Sequence, residues 1–182
     1  MEPSDEMLVS QAATLGDSDA FETLMRRHEK RIFHLLRRFT RDPGTAEELC
    51  QETFLRAWRK LGSFQGRGAF GGWLSKLAYN VFLQHRRRRP GADQSLDDPH
   101  MAGAADAALT GPPLAEEVPD LERLLAAVSA EERDLLILSY GAGLSAGDIA
   151  DMLGASVGTV KSQIHRAKEK IRRRFNIEVD HD

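Results

Sequence analysis

A stretch of about thirty residues, from Pro90 to Pro119, constrains this chain more than any other feature, because nothing in it can build a core. Proline, glycine, alanine and acids dominate it, and the apolar periodicity of its flanks disappears, which is the mark of a linker rather than a packed element. A flexible chain of that length has a typical end-to-end distance of roughly 30 Å and reaches about 100 Å at full extension, so the flanking blocks can act apart on a large partner. The expected organisation is an acidic segment over 1–17, a first domain over 18–90, a linker over 91–120, a second domain over 121–176 and a tail over 177–182.

Charge follows the same boundaries. The formal net charge of −3 over 182 residues argues superficially against a polyanion partner, but it averages strongly segregated blocks. Residues 1–20 hold five acids and no Lys or Arg, residues 21–90 hold 16 basic and 6 acidic side chains, and residues 91–122 hold eight acids and no bases. A basic block of this kind suits a nucleic acid, or else forms a solvated helix face, and motifs must decide between the two. Hydrophobic content of 41% with 29% charged residues fits a folded protein rather than a disordered one. No apolar run approaches the roughly 20 residues that a bilayer-spanning helix needs, so no membrane insertion is expected. The N-terminus lacks a basic segment followed by a hydrophobic one, so a cytoplasmic protein is the simple reading. Cys50 is the single cysteine and excludes an internal disulfide or a multi-cysteine zinc site.

Both flanking blocks read as helical, and no segment alternates with a strand's period of two, so the fold class is all-α: two small helical domains joined by a flexible acidic linker, the second containing a helix-turn-helix. In the first block Phe21, Leu24, Met25, Ile32, Leu35, Leu36 and Phe39 recur at three- and four-residue steps. Pro43 and Gly44 interrupt that helix, and Thr45 with Glu48 has capping-box spacing for the next, whose apolar side is read as Leu49, Phe54, Leu55 and Trp58. A glycine-rich loop over 61–68 precedes a third helix predicted from about Ala69 to Arg89. In the second block Ser129 and Glu132 repeat the capping-box spacing, and residues 141–143 form a turn.

Residues 144–167 fit a helix-turn-helix. Ser145 caps a short helix through Leu153, Gly154 reverses the chain, and Ala150 is small where two helices must approach. Leu144, Ile149, Leu153, Val157, Val160 and Ile164 supply the shared core, and Ser156 or Thr159 starts the second helix, which runs to about Phe175. Lys161, Ser162, His165 and Arg166 lie on one face near its N-terminal half, the part a recognition helix presents to the major groove. Lys and Arg suit guanine and Ser adapts to several bases, whereas later basic residues such as Lys168 suit phosphates.

Around the glycine-rich loop, basic and aromatic residues interleave: Phe64, Arg67, Phe70, Trp73, Lys76, Tyr79, Asn80, Phe82 and Arg86 through Arg89. A cationic track with flat side chains is what single-stranded DNA binding requires, each stacked base contributing roughly 1–3 kcal/mol. Leu77, Val81 and Trp73 are at least partly core at this spacing, while Phe64 and Asn80 are read as functional.

Three segments carry a specific resemblance. AEELCQETFLRAW over 46–58 resembles the polymerase-binding helix of sigma region two, FQGRGAFGGWLSKLAYN over 64–80 resembles the adjoining −10 recognition segment, and GTVKSQIHRA over 158–167 is similar to the recognition helix of sigma region four. Their order and the acidic linker match the extracytoplasmic-function sigma factors. The resemblance implies that Glu47, Glu48, Leu49, Gln51, Glu52 and Phe54 dock on core RNA polymerase. It implies that Phe64, Arg67, Phe70, Trp73, Lys76, Asn80, Arg86 and Arg87 serve the melted −10 element, and that Ser156, Thr159, Lys161, Ser162, His165, Arg166 and Lys168 serve the −35 duplex. It further implies promoter DNA as the nucleic-acid partner, a linker that threads the polymerase channel, and an anti-sigma protein. No catalytic, metal or cofactor site is expected. Gly71 and Gly72 depart from the family pattern before Trp73, so that the third helix starts late or is adjustable, and Gly147 weakens the first helix of the helix-turn-helix. Gln163 and Gln84 replace a common arginine and a frequent acid.

Two rival readings stand beside this one. A regulator using residues 121–176 alone would leave the first block's acidic helix and aromatic loop unexplained. An enzyme would need groups that are not in evidence: the six histidines show no ligand spacing with acids or Cys50, and no phosphate loop or nucleophile motif occurs.

Overall fold

The computed structural model describes residues 2–64, 66, 68–88 and 118–176. These residues are helical with no strand, and they fall into two compact units on either side of the Pro/Gly/Ala-rich stretch. The linker over 91–117, the tail over 177–182, Arg67 and Arg89 lie outside the described residues.

The first unit contains α1 (Asp5–Leu15), α2 (Ser18–Thr40), α3 (Pro43–Lys60), a single 3-10 turn (Leu61–Ser63) and α4 (Phe70–Arg88). Helices α2, α3 and α4 pack on one another around Leu24, Ile32, Leu36, Leu74 and Val81, all fully buried. The acidic N-terminal segment is itself a helix, since Leu8, Val9 and Ala12 of α1 are buried and α1 packs on α2. Asp5 fastens it, with Oδ1 accepting from Arg27 at 3.1 Å and Oδ2 lying 2.7 Å from His28 Nε2. Burial works against the Asp5 carboxylate, but the bonds from His28 and Arg27 outweigh it and hold its pKa below the ordinary value.

Local chemistry sets the helix boundaries. Helix α3 begins three residues earlier than the Thr45 and Glu48 spacing predicts: Asp42 is its cap, accepting from the Thr45 amide at 2.6 Å, and Pro43 occupies the first turn, where its missing N–H costs nothing. The apolar side of α3 also differs from expectation. Leu49, Cys50, Thr53, Phe54 and Ala57 are buried, whereas Leu55 and Trp58 are 55% and 40% exposed, because Leu55 projects from the opposite sector of the helix and Trp58 from the flank of the buried one. The buried hydroxyls return to their own helices, Thr53 donating to the Leu49 carbonyl at 2.7 Å and Ser75 to that of Gly71 at 2.8 Å.

Helix α4 does not start late. Gly71 and Gly72 sit in its first turn, and Gly71 has a packing reason: a Cβ there would lie 2.9 Å from Arg31 Nη1 and 3.2 Å from His28 Cε1. The missing side chain lets the start of α4 press against α2.

The second unit holds α5 (Val118–Leu125), α6 (Ala130–Leu136) continuing into a π-helical turn (Ile137–Gly141), α7 (Ala146–Leu153) and α8 (Val157–Phe175). Capping boxes start two of them, Ser129 with Glu132 on α6 and Ser145 with Asp148 on α7. Gly154 takes a left-handed φ of 65° at the reversal, and Ser156 rather than Thr159 caps α8, accepting from the Thr159 amide at 3.0 Å. The core closes through Leu138, Leu144, Ile149, Ala150, Val160 and Ala167. Leu153 and Val157 were expected in it but flank the reversal, where the two helices diverge, and remain 39% and 44% exposed.

Candidate functional site

On α3 the sequence-predicted docking residues separate into two groups. Glu47, Glu48 and Gln51 are exposed and Glu52 is half-buried, while Leu49 and Phe54 are only 6% and 5% exposed and belong to the core. Leu49 and Phe54 lie on the sector turned toward α2 and α4, so neither can reach a partner without unfolding the helix. The surface they leave is completed by Leu55 and Trp58, giving a stripe that runs Glu47, Glu48, Gln51, Leu55, Trp58. One edge of it leans on α2, where Trp58 meets the Phe21 ring with centroids 5.0 Å apart. Helical spacing carried the signal for Leu55 and Trp58, since 47, 51, 55 and 58 are successive turns of one face.

Along α4, Trp73, Lys76, Asn80 and Arg87 fall on one stripe at helical spacing, with Trp73 and Lys76 half-buried and Asn80 and Arg87 exposed. Two predicted members lie elsewhere. Phe70 is 3% exposed, sealed by the edge of the His28 ring at a centroid distance of 5.3 Å, and so serves as a base for neighbouring rings rather than a stacking surface. Arg86 turns away from the stripe, with its guanidinium 5.5 Å from the Phe82 ring centroid. Phe64 arrives from the preceding loop and packs tilted or edge-on against Trp73 and Phe70 at 5.5 and 5.7 Å. This three-ring cluster leaves Phe64 and Trp73 partly open and holds each by aromatic contact, a preorganised platform for a flat ligand. Arg67 lies outside the described residues.

Helix α2 adds a basic group that sequence reading passed over. Lys30, His34 and Arg38 are exposed on α2, with Arg37 half-buried beside them. Burial pushes the His34 pKa below its usual value, and the positive charges of Arg38, Arg37 and Lys30 oppose its protonation further. Clustering of like charge at i, i+4 and i+8 was the available signal.

In the second unit Lys161, Ser162, His165 and Arg166 are all exposed on α8, as their spacing predicts, and Arg173 continues the face one heptad beyond Arg166. Local bonds restrict the hydroxyls. Ser156 and Thr159 share a hydrogen bond of 2.8 Å, and Ser162 donates to the Thr159 carbonyl at 2.9 Å. Lys168 lies at the edge of the face with Nζ 5.8 Å from the centroid of Tyr140, which is itself 65% exposed. Lys170 donates to Glu132 at 2.6 Å and Arg172 to Glu169 at 2.8 Å, so the last two turns of α8 are partly committed within the unit.

No group of residues suited to hold a metal ion occurs among the described residues. Among the same residues no helix is long and apolar enough to cross a membrane.

Comparison with known proteins matches both units to one family. Residues 24–90 match the family model described as Sigma-70 region 2, and residues 120–171 match Sigma-70, region 4. The RNA polymerase sigma-H factor of Pseudomonas aeruginosa is 33% identical over 177 residues, covering 92% of this chain and 91% of that protein. The ECF RNA polymerase sigma-E factor of Escherichia coli is 31% identical over 178 residues, covering 92% of each. Among solved structures, CnrH in complex with the cytosolic domain of CnrY aligns with a TM-score of 0.65 at 24% identity, over 96% of this chain and 99% of that one. The sigma factor RpoE from Bartonella quintana, in complex with the anti-sigma factor NepR, aligns with a TM-score of 0.67 at 23% identity, over 87% of this chain and 98% of that one. The likeness therefore extends to whole relatives, regions 2 and 4 together in one order, and not merely to a helix-turn-helix that many regulators share; the chain belongs to the extracytoplasmic-function sigma factors of RNA polymerase.

Proposed function

We propose that this sigma factor divides its work among three surfaces, one on each of α3, α4 and α8. The α3 stripe of Glu47, Glu48, Gln51, Leu55 and Trp58 docks on core RNA polymerase, its acids meeting basic groups and its two apolar side chains giving up water on contact. Phe64 and Trp73 stack melted −10 bases while Asn80 reads a base edge and Lys76 and Arg87 hold phosphates. Unstacking a base costs a few kcal/mol, and a ring platform already held in place offsets that cost as the duplex opens. Lys161, His165 and Arg166 read the −35 duplex from the major groove, Ser156 and Thr159 set the start of the helix, and Lys168 with Arg173 contacts phosphates. A factor that works on chromosomal promoters acts in the cytoplasm, and an anti-sigma protein that covered the α3 stripe would silence it without touching DNA. Sigma factors are initiation factors, so the chemistry of transcription remains the polymerase's own.

The observation that carries this reading is that every one of the three predicted residue sets retains an exposed, single-faced group on its helix after its core members are removed. The deciding experiment mixes the protein with core polymerase from its own organism and a genomic promoter library, and sequences the run-off transcripts. Defined start sites sharing −35 and −10 elements, absent with core alone, are the expected result. Tight duplex binding with no complex on active core would move the protein to the regulators that use a helix-turn-helix alone.

A further inference from the structure

The α3 stripe and the α4 stripe are joined by one side chain that belongs to neither. Arg56 lies one turn beyond Glu52, at the edge of α3 that faces α4. Its Nε donates to Glu52 Oε1 at 2.6 Å, and its Nη1 donates to Gln84 Oε1 at 2.6 Å. Gln84 stands one turn beyond Asn80 and three residues before Arg87, at the border of the stripe read as facing the −10 strand. Glu52, at the other end of the relay, stands one residue after Gln51 on the docking side.

We propose that Arg56 is a positioning residue, setting where the −10 stripe of α4 stands relative to the polymerase-docking stripe of α3. The inference rests on the division of surfaces proposed above and adds to it a specific mechanical link. The physical reason is the shape of guanidinium. Its donors are fixed in one plane, so two acceptors held at once fix two helices in angle as well as in distance, which a lysine ammonium cannot do. Arg56 retains 22% of its side-chain exposure and Glu52 retains 41%, so solvent screens the pair and its contribution to folding is small. What the relay supplies is geometry. Core docking fixes α3, and through Arg56 it fixes Asn80 and Arg87 where unpaired bases emerge. Gln84 suits the role because its side-chain oxygen accepts from Arg56 at the edge where α4 meets α3.

The test uses holoenzyme assembled from the full chain and core polymerase, on a promoter that the unaltered protein opens. Arg56→Met and Gln84→Leu remove the relay without touching either stripe. Three quantities are measured for each: affinity for core, thermal midpoint of the free protein, and permanganate reactivity of melted −10 thymines. Both variants are expected to keep core affinity and thermal midpoint while the melted fraction falls about fivefold, the scale on which the loss of one ordinary intramolecular hydrogen bond acts. Gln84→Glu restores an acceptor at the same place and is expected to melt the promoter as the unaltered protein does, whereas Arg56→Lys keeps the charge but not the fork and is expected to resemble Arg56→Met. Normal melting by both Arg56→Met and Gln84→Leu overturns the inference. A loss of melting that simply follows a fall in thermal midpoint, with no rescue by Gln84→Glu, also overturns it by assigning Arg56 to folding. Failure of the broader reading is separable, because there the unaltered protein itself would neither bind core nor open a promoter.

Discussion

Leu49 and Phe54 show how a helix assigns its residues. Leu49 follows the exposed Glu48 and Phe54 precedes the exposed Leu55, yet each is itself more than nine-tenths buried. The difference is a rotation of about 100° per residue, enough to move a side chain from solvent to core. Substitution of Phe54 is therefore a folding experiment and substitution of Trp58 a docking experiment. Phe54→Ala should destabilise the first unit by about 3–5 kcal/mol, the usual cost of emptying a large buried ring's site. Trp58→Ala, which removes a side chain already 40% exposed, should leave the unfolding midpoint nearly unchanged and weaken the complex with core polymerase. Denaturant melts and core titration of the two variants measure the split, and a docking loss confined to Phe54→Ala would refute the assignment.

At the scale of elements, caps and cross-helix pairs hold short helices in register. Glu132 performs two tasks: its Oε2 accepts from the Ser129 amide at 3.0 Å to complete a capping box, and its Oε1 accepts from Lys170 of α8 at 2.6 Å. The hydrogen bond from Lys170 outweighs partial burial and holds the Glu132 pKa below its ordinary 4.5. A depressed carboxylate favours the folded state when ionised, so its contribution is fully present above the unfolded value near 4.5 and disappears as pH falls through the lower folded value. Glu132→Gln keeps an acceptor for the cap and removes the charge. Its destabilisation should be measurable by denaturant melts at neutral pH and should vanish well below pH 4.5; a penalty unchanged by acid would mean that Lys170 contributes nothing. The same logic of local chemistry explains the first turn of α4. Two glycines there weaken helix propensity, by about 1 kcal/mol each relative to alanine, and Gly71 offsets this by admitting His28 and Arg31 at close range.

For the molecule as a whole, the segregated charge of the sequence becomes exposed basic groups on separate units, on α2 and on α4 in the first and on α8 in the second. Phosphate contacts release counterions, so the affinity of the holoenzyme for its promoter should fall steeply with salt. Arg166→Ala and Lys161→Ala are expected to lower discrimination at single −35 positions by roughly 1–3 kcal/mol, if each makes a good base contact, with core binding intact. Arg173→Ala should instead weaken all promoters alike and reduce the salt slope by about one. Binding of a promoter panel at several salt concentrations distinguishes base reading from phosphate holding; uniform losses for Arg166→Ala would move it to the second class.

Much of this was legible along the chain. The all-α class, the helix-turn-helix with Ser145, Gly154 and Ser156 at its joints, and the exposed face of α8 follow from short-range rules, because caps, turns and helical faces are decided within a few residues. Local rules also misplaced some boundaries: the Thr45 and Glu48 spacing imitates a capping box, but Asp42 with Pro43 competes for the same amide and wins. What tertiary packing alone decided is which side of each helix is inside. Leu55 and Trp58 look as apolar as Leu49 and Phe54, and only the placement of α2 and α4 turns one pair out and the other in. Likewise an acidic segment becomes α1 because Asp5 finds Arg27 and His28 more than twenty residues away, and Arg56 becomes a bridge because Gln84 arrives beside it from a different helix. Such partners are distant in sequence, so no periodicity announces them, and only the folded chain brings their atoms within reach of a hydrogen bond.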